Sequence, residues 1–456
     1  MSTPAAPTRP SRGDELDLRI DSLAYGGAGV ARLDGYVVFV RDAVPGDRVR
    51  ALVTKRKRAY AEARAVEVLE PSPERIPAVA DHPGAPWQVL PYERQLEVKA
   101  EQVADALHRI GKLEGFDLEP IVPAVAQWRY RNKLEYSFGR GDDGELVCGF
   151  HAPGSWERIV ALDDCLLASE RGNAARDAAL AWCREKGIPA YDRRTQEGVL
   201  RNLVVREGRR TGELQVRLVT SPADLDLDGF AEAVGASSVM WTRTAGVGET
   251  TAGGESEVLH GTEAIDEEVN VAGADLRFRL SAEAFFQTNT EMAEVLYGTA
   301  VEFAALKGWE RVYDLFCGIG TIGLALAPRA GEVWGLEIVE EAIADAIANA
   351  RRNDLAAKTR FFAGDVRLAL RELAEQAGRP DVLVVDPPRA GLSQKVVRRI
   401  VEAQPSRIVY VSCNPTTLAP NAAQMVAAGY RLLRVRPVDM FPQTPHIESV
   451  ALLERS

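Results

Sequence analysis

From Arg311 to the C-terminus, apolar runs of strand length alternate with helical segments, and this pattern constrains the fold more than any other feature of the 456 residues. The five runs read RVYDLFC, EVWGLEI, TRFFAGD, DVLVVDPP and RIVYVSCNP. Near-continuous apolar strands joined by crossover helices predict a doubly wound, mostly parallel α/β sheet. Two last strands, YRLLRVRPVDMF and IESVALLER, have no helix between them. We therefore expect the final strand to insert antiparallel.

Residues 13–71 alternate short β patterns with glycine turns, which is typical of a small β-barrel. The net charge of the chain is −11, but the segment Arg48–Arg64 holds seven basic residues and one acid, Glu62. The aromatic side chains near this segment are those of Tyr25, Tyr36 and Tyr60. OB-like barrels bind single strands by combining a positive groove with aromatic rings. We therefore expect the barrel to bind RNA, the alternative being a solvated charged face.

A second β-rich region covers residues 120–280 and contains one helical segment near Ser169–Glu185. Its strand RYRNKLEYSFGR interleaves basic with aromatic residues, as a nucleic-acid face would; an amphipathic edge strand is the alternative. The basic residues are Arg129, Arg131, Lys133 and Arg140, and the aromatic ones are Trp128, Tyr130, Tyr136 and Phe138. The predicted organisation is a disordered lead (1–12), the barrel (13–71), a linker with a helix (72–119), the central domain (120–280) and the α/β domain (281–456).

Composition places the chain among soluble globular proteins, with 46% hydrophobic and 27% charged residues. The apolar runs are strand-sized and too short to span a bilayer, and the N-terminus has no signal-type apolar core. The five cysteines are Cys148, Cys165, Cys183, Cys317 and Cys413. They are scattered, with no CxxC pair, so we expect free thiols and neither a disulfide framework nor a zinc ribbon. A cytoplasmic monomer that does not bind membranes is the expected state.

Acidic residues at successive strand ends predict a cofactor site. They are Asp314, Glu337, Asp365 and Asp386. Gly318 and Gly320 let the backbone approach a ligand closely, and Glu337 is placed to accept hydrogen bonds from ribose hydroxyls. Acids here suit a cofactor with an amino group, ribose hydroxyls and a sulfonium charge, and they disfavour the pyrophosphate of a dinucleotide. We therefore expect S-adenosylmethionine. Phe316 offers an apolar wall, although a packing role is the alternative.

Cys413 lies in VSCNP, directly after the fifth strand, at the edge where ligands bind. A thiolate there is suited to add to C6 of a uracil and so activate C5 for methylation. Methylation at C5 then requires a base that removes the C5 proton. Glu448 begins the last strand, and an antiparallel insertion would bring it to the same edge as Cys413. His446 is a less suitable base, and an exposed structural carboxylate is the alternative role for Glu448.

The motifs FFQTN (Phe285–Asn289), DLFCGIG, DPPRAGL (Asp386–Leu392), SCNP and HIESV occur in this order. Together they resemble the class I RNA 5-methyluridine methyltransferases, whose sheet is Rossmann-like. The segments AYGGAGVAR, VPGDRV and TKRKRAYAEAR resemble the TRAM domain, an OB-like RNA-binding barrel. The resemblance implies that Cys413 is the nucleophile and Glu448 the base. It further implies cofactor contacts, which are Gln287, Phe316, Glu337 and Asp386, with Asp365 near the adenine.

One departure from this family concerns iron. Many relatives hold an iron–sulfur cluster on four cysteines, whereas this chain reads DHPGAPWQVLPYERQL at the cysteine motif and keeps Cys165 alone. Because one thiolate cannot hold a cluster, we predict none. Purified protein, prepared with or without air, should lack iron and the visible absorbance of a cluster; a stoichiometric cluster would contradict this.

The RNA substrate is inferred from the resemblance. A TRAM domain beside this sheet resembles the enzymes that act on 23S ribosomal RNA, so ribosomal RNA is expected, with a uridine in the T-loop of tRNA as the alternative. Two other functions stay open at this point. One is an amino-group methyltransferase, because DPPR is similar to the Asp-Pro-Pro-aromatic turn of such enzymes. The other is a non-catalytic RNA-binding assembly factor.

Overall fold

The computed structural model describes residues 9–246, 248, 251 and 253–456. Residues 1–8 of the predicted disordered lead lie outside this range. The N-terminal module is a six-stranded sheet in the order β1-β5-β6-β4-β3-β2, antiparallel except for the pair β4 and β6. Its strands are β1 Glu15–Arg19, β2 Ser22–Leu23, β3 Gly29–Leu33, β4 Tyr36–Arg41, β5 Arg48–Arg56 and β6 Tyr60–Glu70. Alternate residues of these strands, such as Val38 and Val49, are fully buried, which closes one apolar core.

A helix and a short strand follow, α1 Tyr92–Asp105, extended by a π-helical turn Ala106–Ile110, and β7 Asp117–Leu118. The central module is a seven-stranded sheet in the order β10-β9-β8-β11-β12-β13-β14, with helices on one face. Its elements are β8 Lys133–Arg140, β9 Leu146–His151, β10 Ile159–Ala161, α2 Glu170–Glu185, β11 Leu200–Glu207, β12 Leu214–Thr220, α3 Phe230–Val234, β13 Ser238–Arg243 and β14 Glu255–His260. A separate two-stranded sheet follows, β15 Ala264–Val271 and β16 Ala274–Ser281.

Strand β8 corrects one prediction from the sequence. It lies inside the sheet between β9 and β11 rather than at an edge. The rings of Tyr130, Tyr136 and Phe138 are buried in the core that α2 covers. Burying three aromatic side chains removes a large apolar area from water, so this face stabilises the fold. These three aromatic side chains are therefore not part of a nucleic-acid face, and RNA binding by the central domain stays a prediction.

The C-terminal module is an eight-stranded sheet in the order β19-β18-β17-β20-β21-β23-β22-β7. Its elements are α4 Thr290–Ala304, β17 Arg311–Leu315, α5 Thr321–Leu326, β18 Glu332–Glu337, α6 Glu340–Arg352, β19 Thr359–Ala363, α7 Val366–Ala377, β20 Val382–Val385, α8 Gln394–Ala403, β21 Arg407–Ser412, α9 Pro415–Ala427, β22 Tyr430–Val438 and β23 Glu448–Arg455. Strands β17 to β21 are parallel, and β23 pairs antiparallel with both β21 and β22. The predicted doubly wound sheet and its antiparallel last strand are confirmed.

Two apolar cores cover the two faces of this sheet. The strand order reverses between β17 and β20, so the crevice for ligands lies beyond the carboxyl ends of these strands. Helix α1 packs beside this sheet through a buried ion pair, in which Lys99 Nζ lies 2.7 Å from a carboxylate oxygen of Asp439. Among the described residues, no helix is long and apolar enough to cross a membrane.

Candidate active site

The loop after β17 forms a cradle at the switch point of the sheet. Asp314 is fully buried at the end of this strand, and its Oδ2 accepts a hydrogen bond from the amide of Gly323 at 2.8 Å. Its Oδ1 is buried and has no partner among the described residues. Burial raises the pKa of Asp314 to about 8. Gly318 has a φ of +53°, and a Cβ placed there would meet no atom within 4 Å. The cradle therefore offers an unpaired acceptor and open space to a ligand, which fits S-adenosylmethionine.

Glu337 faces the same cradle from the end of β18. One of its carboxylate oxygens accepts hydrogen bonds from the amides of Ile338 at 2.7 Å and Val339 at 3.1 Å, and the other accepts one from Gly318 at 3.3 Å. These bonds fix the carboxylate beside the glycine turn. Phe316 lies partly buried at the start of this turn with a φ of +62°. Glu337 and Phe316 thus lie where the sequence predicted contacts with the cofactor.

Two further residues predicted to contact the cofactor, Asp365 and Gln287, precede helices α7 and α4. Asp365 caps the N-terminus of α7, where its carboxylate accepts a hydrogen bond from the amide of Arg367 at 2.8 Å. Hydrogen bonding to the Arg367 side chain lowers the pKa of Asp365. Gln287 is buried just before α4, and its backbone carbonyl accepts a hydrogen bond from Asn132 of the central module at 2.9 Å. Gln287 is therefore held between two modules.

Cys413 and Glu448 meet at the same edge. Cys413 directly follows β21, whose last residue, Ser412, pairs with Ser449 in β23. Glu448 precedes Ser449 and is 3% exposed. Cys413 is partly exposed, whereas the other four cysteines are buried. The antiparallel last strand therefore places a carboxyl group beside the one cysteine that a ligand can reach.

Burial and acidic neighbours raise the pKa values of the groups in this site. Burial raises the pKa of Cys413 to about 11, and the charges of Glu448 and Asp386 add to the increase while Arg389 opposes it. Burial and the charge of Asp386 raise the pKa of Glu448 well above its usual range. Burial also raises the pKa of Asp386 to about 7. At neutral pH the free protein therefore holds Cys413 as a thiol.

Asn414 connects the cysteine turn to the DPPR turn. Its Nδ2 donates a hydrogen bond to the carbonyl of Arg389 at 2.9 Å, while its Oδ1 caps α9 at the amide of Thr416. The guanidinium of Arg389 lies 3.4 Å from Nδ1 of His446. Burial, together with nearby cationic groups, lowers the pKa of His446 to about 4, so this imidazole is neutral at neutral pH. Arg389 is thus the cation beside the thiol.

Tyr25 has a position that the sequence did not indicate. It was expected to offer a stacking ring on the barrel, yet its hydroxyl donates a hydrogen bond to the backbone carbonyl of Cys413 at 2.9 Å. The two residues are 388 positions apart, so no local pattern signals the contact.

The barrel keeps part of its predicted RNA-binding surface. Side chains from Arg48, Arg50 and Lys55 form ion pairs with acids of neighbouring strands, and Tyr36 is buried. Three cations at the tip between β5 and β6 remain exposed. They are Arg56, Lys57 and Arg58. Tyr60 and Phe39 pack edge to face beside them, with ring centroids 5.4 Å apart. Cations next to partly exposed rings suit a single-stranded nucleic acid.

The predicted loss of the iron–sulfur site leaves a buried pair. Sγ of Cys165 lies 3.4 Å from Nε2 of His82, and both side chains are buried. Among the described residues, no group of three or more His, Cys, Asp or Glu side chains is arranged to hold a metal. The absence of iron stays a prediction.

This sheet order and cradle define an S-adenosylmethionine-dependent methyltransferase with an added N-terminal barrel. Residues 250–456 match the family model of tRNA (uracil-5-)-methyltransferases, and residues 10–66 match that of the TRAM domain. An uncharacterized RNA methyltransferase of Halalkalibacterium halodurans is 39% identical over 100% of this chain and 99% of its own length. One of Porphyromonas gingivalis is also 39% identical, over 96% and 100%.

A solved structure supports the same assignment. The tRNA (uracil-54, C5)-methyltransferase of Pyrococcus abyssi, in complex with S-adenosyl-L-homocysteine, superposes with a TM-score of 0.76 and 28% identity, covering 96% of this chain and 100% of that one. The chain belongs to the S-adenosylmethionine-dependent RNA (uracil-C5) methyltransferase family. It is an enzyme that uses this cofactor, which sets aside both the amino-group methyltransferase and the non-catalytic assembly factor.

Proposed function

We propose that the protein methylates C5 of a uridine in 23S ribosomal RNA through a covalent bond between Cys413 and C6, with Glu448 as the base. The observation that carries the chemistry is the pairing of β21 with β23, which sets Glu448 beside the partly exposed Cys413. The other four cysteines are buried and cannot reach the uracil of an RNA substrate. Cytoplasmic location and a monomeric state remain predictions from the sequence.

The cradle residues would hold the cofactor, which supplies a methyl group on a sulfonium sulfur. Asp314 and Gly318 border the open space, and Glu337 would accept hydrogen bonds from ribose hydroxyls. The charge of Asp386 raises the pKa values of both Asp314 and Cys413. Asp386 would therefore lie between the cofactor and the uridine. Gln287 would contact the cofactor from the segment before α4.

Cys413 and Glu448 would carry out the proton and bond changes on the uracil ring. Cys413, which is partly exposed, releases its proton to solvent. Its Sγ then forms a bond to C6 while the π electrons of the C5–C6 bond make C5 nucleophilic. After C5 has gained the methyl group, the carboxylate of Glu448 removes the C5 proton. The C6–S bond then breaks, the double bond re-forms and Cys413 leaves as a thiolate. Glu448 must be ionised for its step, and the positive charge of Arg389 favours the ionised forms of both groups.

Replacing Cys413 tests this chemistry. Cys413→Ala should abolish methylation of RNA while S-adenosylmethionine still binds, because the cradle is unchanged. Cys183→Ala, which removes a buried thiol of the central module, is the matched control and should keep activity. Methylation by Cys413→Ala at the wild-type rate would refute the covalent mechanism.

The choice of RNA rests on different observations. The barrel beside the catalytic sheet supports ribosomal RNA, following the resemblance described above. A tRNA uridine is the second candidate, because the structure of the tRNA (uracil-54, C5)-methyltransferase aligns over 96% of this chain, barrel included. Mapping 5-methyluridine in ribosomal and transfer RNA from a deletion strain decides between them. Loss of the modification from 23S ribosomal RNA is expected, and loss from tRNA alone would overturn the ribosomal assignment.

A further inference from the structure

We propose that Tyr25 of the N-terminal barrel is a positioning residue for Cys413. Its hydroxyl donates a hydrogen bond to the carbonyl oxygen of Cys413 at 2.9 Å and so reaches from the RNA-binding module into the catalytic turn. Burial beside Cys413 raises the pKa of Tyr25 to about 12, so the hydroxyl keeps its proton at neutral pH and remains a donor. This inference rests on the proposed role of Cys413 as the nucleophile.

The turn that carries Tyr25 is held firmly from two sides. Helix α1 supplies Gln102, whose Nε2 donates hydrogen bonds to the carbonyls of Leu23 at 3.3 Å and Ala24 at 3.1 Å. On the other side Gly27, at a φ of +89°, lies so close to Pro445 that an added Cβ would be 3.0 Å from its Cβ. The turn therefore packs closely against the loop that leads into β23. These contacts fix the position of the Tyr25 backbone next to Cys413.

The carbonyl of Cys413 is an effective point from which to orient the thiol. Cys413 and Asn414 form the short connection between β21 and α9, and Asn414 is already tied to Arg389 by its side chain. Tyr25 holds the peptide group between Cys413 and Asn414, while the pairing of Ser412 with Ser449 holds the backbone before Cys413, so the residue that carries Sγ is restrained on both sides. Attack on C6 requires reacting atoms about 3–3.5 Å apart, and a misplacement of about 1 Å costs up to about a hundredfold in rate. Removing this tie should therefore slow catalysis without weakening RNA binding.

Tyr25→Phe tests the proposal, with Tyr430→Phe as the matched control. Tyr430 also donates its hydroxyl to a backbone carbonyl, that of Pro405, at 2.9 Å, but Pro405 precedes β21 at the end opposite Cys413. With unmodified total RNA from a deletion strain, Tyr25→Phe should lower kcat about tenfold and leave KM for RNA within about twofold. Tyr430→Phe should leave both unchanged. A wild-type kcat for Tyr25→Phe, or a change in KM alone, would overturn the positioning role.

A second readout does not depend on methylation. Iodoacetamide should alkylate Cys413 faster in Tyr25→Phe than in the wild type, because the turn is less restrained, while the four buried cysteines serve as internal controls. Gln102→Met, which loosens the same turn without altering Tyr25, should shift both readouts in the same direction. Equal alkylation of Cys413 in all three proteins would overturn the inference. Full methylation by Cys413→Ala would instead refute the nucleophile, whatever the Tyr25 variants show.

Discussion

At the scale of single residues, the site contains three acids whose pKa values are raised, which are Asp314, Asp386 and Glu448. The pKa values of Asp314 and Asp386 are raised to about 8 and about 7, and burial is the main cause for both. Burial and the charge of Asp386 also raise the pKa of Glu448 well above its usual range. A bound sulfonium and ammonium group favours the ionised carboxylates and so lowers these pKa values. We therefore expect cofactor binding to be coupled to proton release.

This coupling predicts how affinity depends on pH. The free protein holds protons on Asp314 and Asp386 that the complex releases, so S-adenosylmethionine should bind more tightly as the pH rises from 6 to 8. Titration calorimetry in two buffers of different ionisation enthalpy should detect the released protons. S-adenosylhomocysteine, which lacks the sulfonium charge, is the control and should release fewer. Proton uptake, or equal release with both ligands, would contradict this picture.

Residues in a regular pattern could be placed from the sequence, and Tyr25 could not. The apolar period marked the strand ends, so Asp314, Glu337 and Cys413 were expected at one edge of the sheet, where they lie. The bond from Tyr25 to Cys413 joins positions 388 residues apart in two modules. Such a contact depends on how the modules pack, about which the local pattern says nothing.

At the scale of elements, α1 is attached to the catalytic sheet through a buried polar network. Nζ of Lys99 lies 2.7 Å from Oδ1 of Asp439, and both side chains are fully buried. The hydroxyl of Tyr92 donates to Oδ2 of the same carboxylate at 2.9 Å. Asp439 begins the loop that leads to Glu448. The helix therefore fixes the loop that delivers the base.

Removing either Lys99 or Asp439 from the buried ion pair should destabilise the protein. Lys99→Met leaves the carboxylate of Asp439 buried without its cation, which should lower the free energy of unfolding by about 3–5 kcal/mol. Urea unfolding measures the change. The double variant Lys99→Met, Asp439→Leu should recover part of the loss, because the unpaired charge is gone. Arg371→Ala, in an exposed pair on α7, is the control and should change stability by less than about 1 kcal/mol. A similarly small effect of Lys99→Met would contradict the role of the network.

The sequence predicts the direction of some elements but not the packing partners of others. The missing helix between β22 and β23 correctly predicted the antiparallel last strand, because a parallel connection requires a crossover. Strand β8 has basic and aromatic residues in alternation, and this period fixed its two faces. It did not reveal that α2 covers the aromatic face, since the helix lies about 30 residues further along the chain.

At the scale of the whole molecule, the barrel serves RNA contact and touches the catalytic turn. The exposed cations between β5 and β6 lie on one part of its surface, while the turn bearing Tyr25 faces the α/β sheet. The net charge of the chain is acidic, and several basic residues of the barrel are paired with acids, so they contribute little to the attraction of RNA. RNA affinity should therefore depend on the few cations that are exposed at the tip between β5 and β6.

Salt dependence tests this distribution. The double variant Arg56→Ala, Arg58→Ala should bind a labelled oligouridylate more weakly. The magnitude of the slope of log affinity against log salt should fall by about 0.7 for each phosphate that the protein no longer neutralises. Arg48→Ala is the control, because Arg48 is paired with Asp17 and Glu70, and it should leave the slope unchanged. Fluorescence anisotropy measures the affinities. Equal slopes for the wild type and both variants would show that RNA does not bind at this tip.

The central claim is that Cys413 bonds to the uracil and Glu448 releases it. Glu448→Gln keeps the shape of the side chain but removes the base, so methylated RNA should remain attached to the enzyme. Incubated with S-adenosylmethionine and unmodified RNA, this variant should give a complex that survives denaturing electrophoresis, with the RNA mass on the peptide that contains Cys413. The double variant Cys413→Ala, Glu448→Gln should give none. Turnover by Glu448→Gln at the wild-type rate, with no attached RNA, would contradict the mechanism.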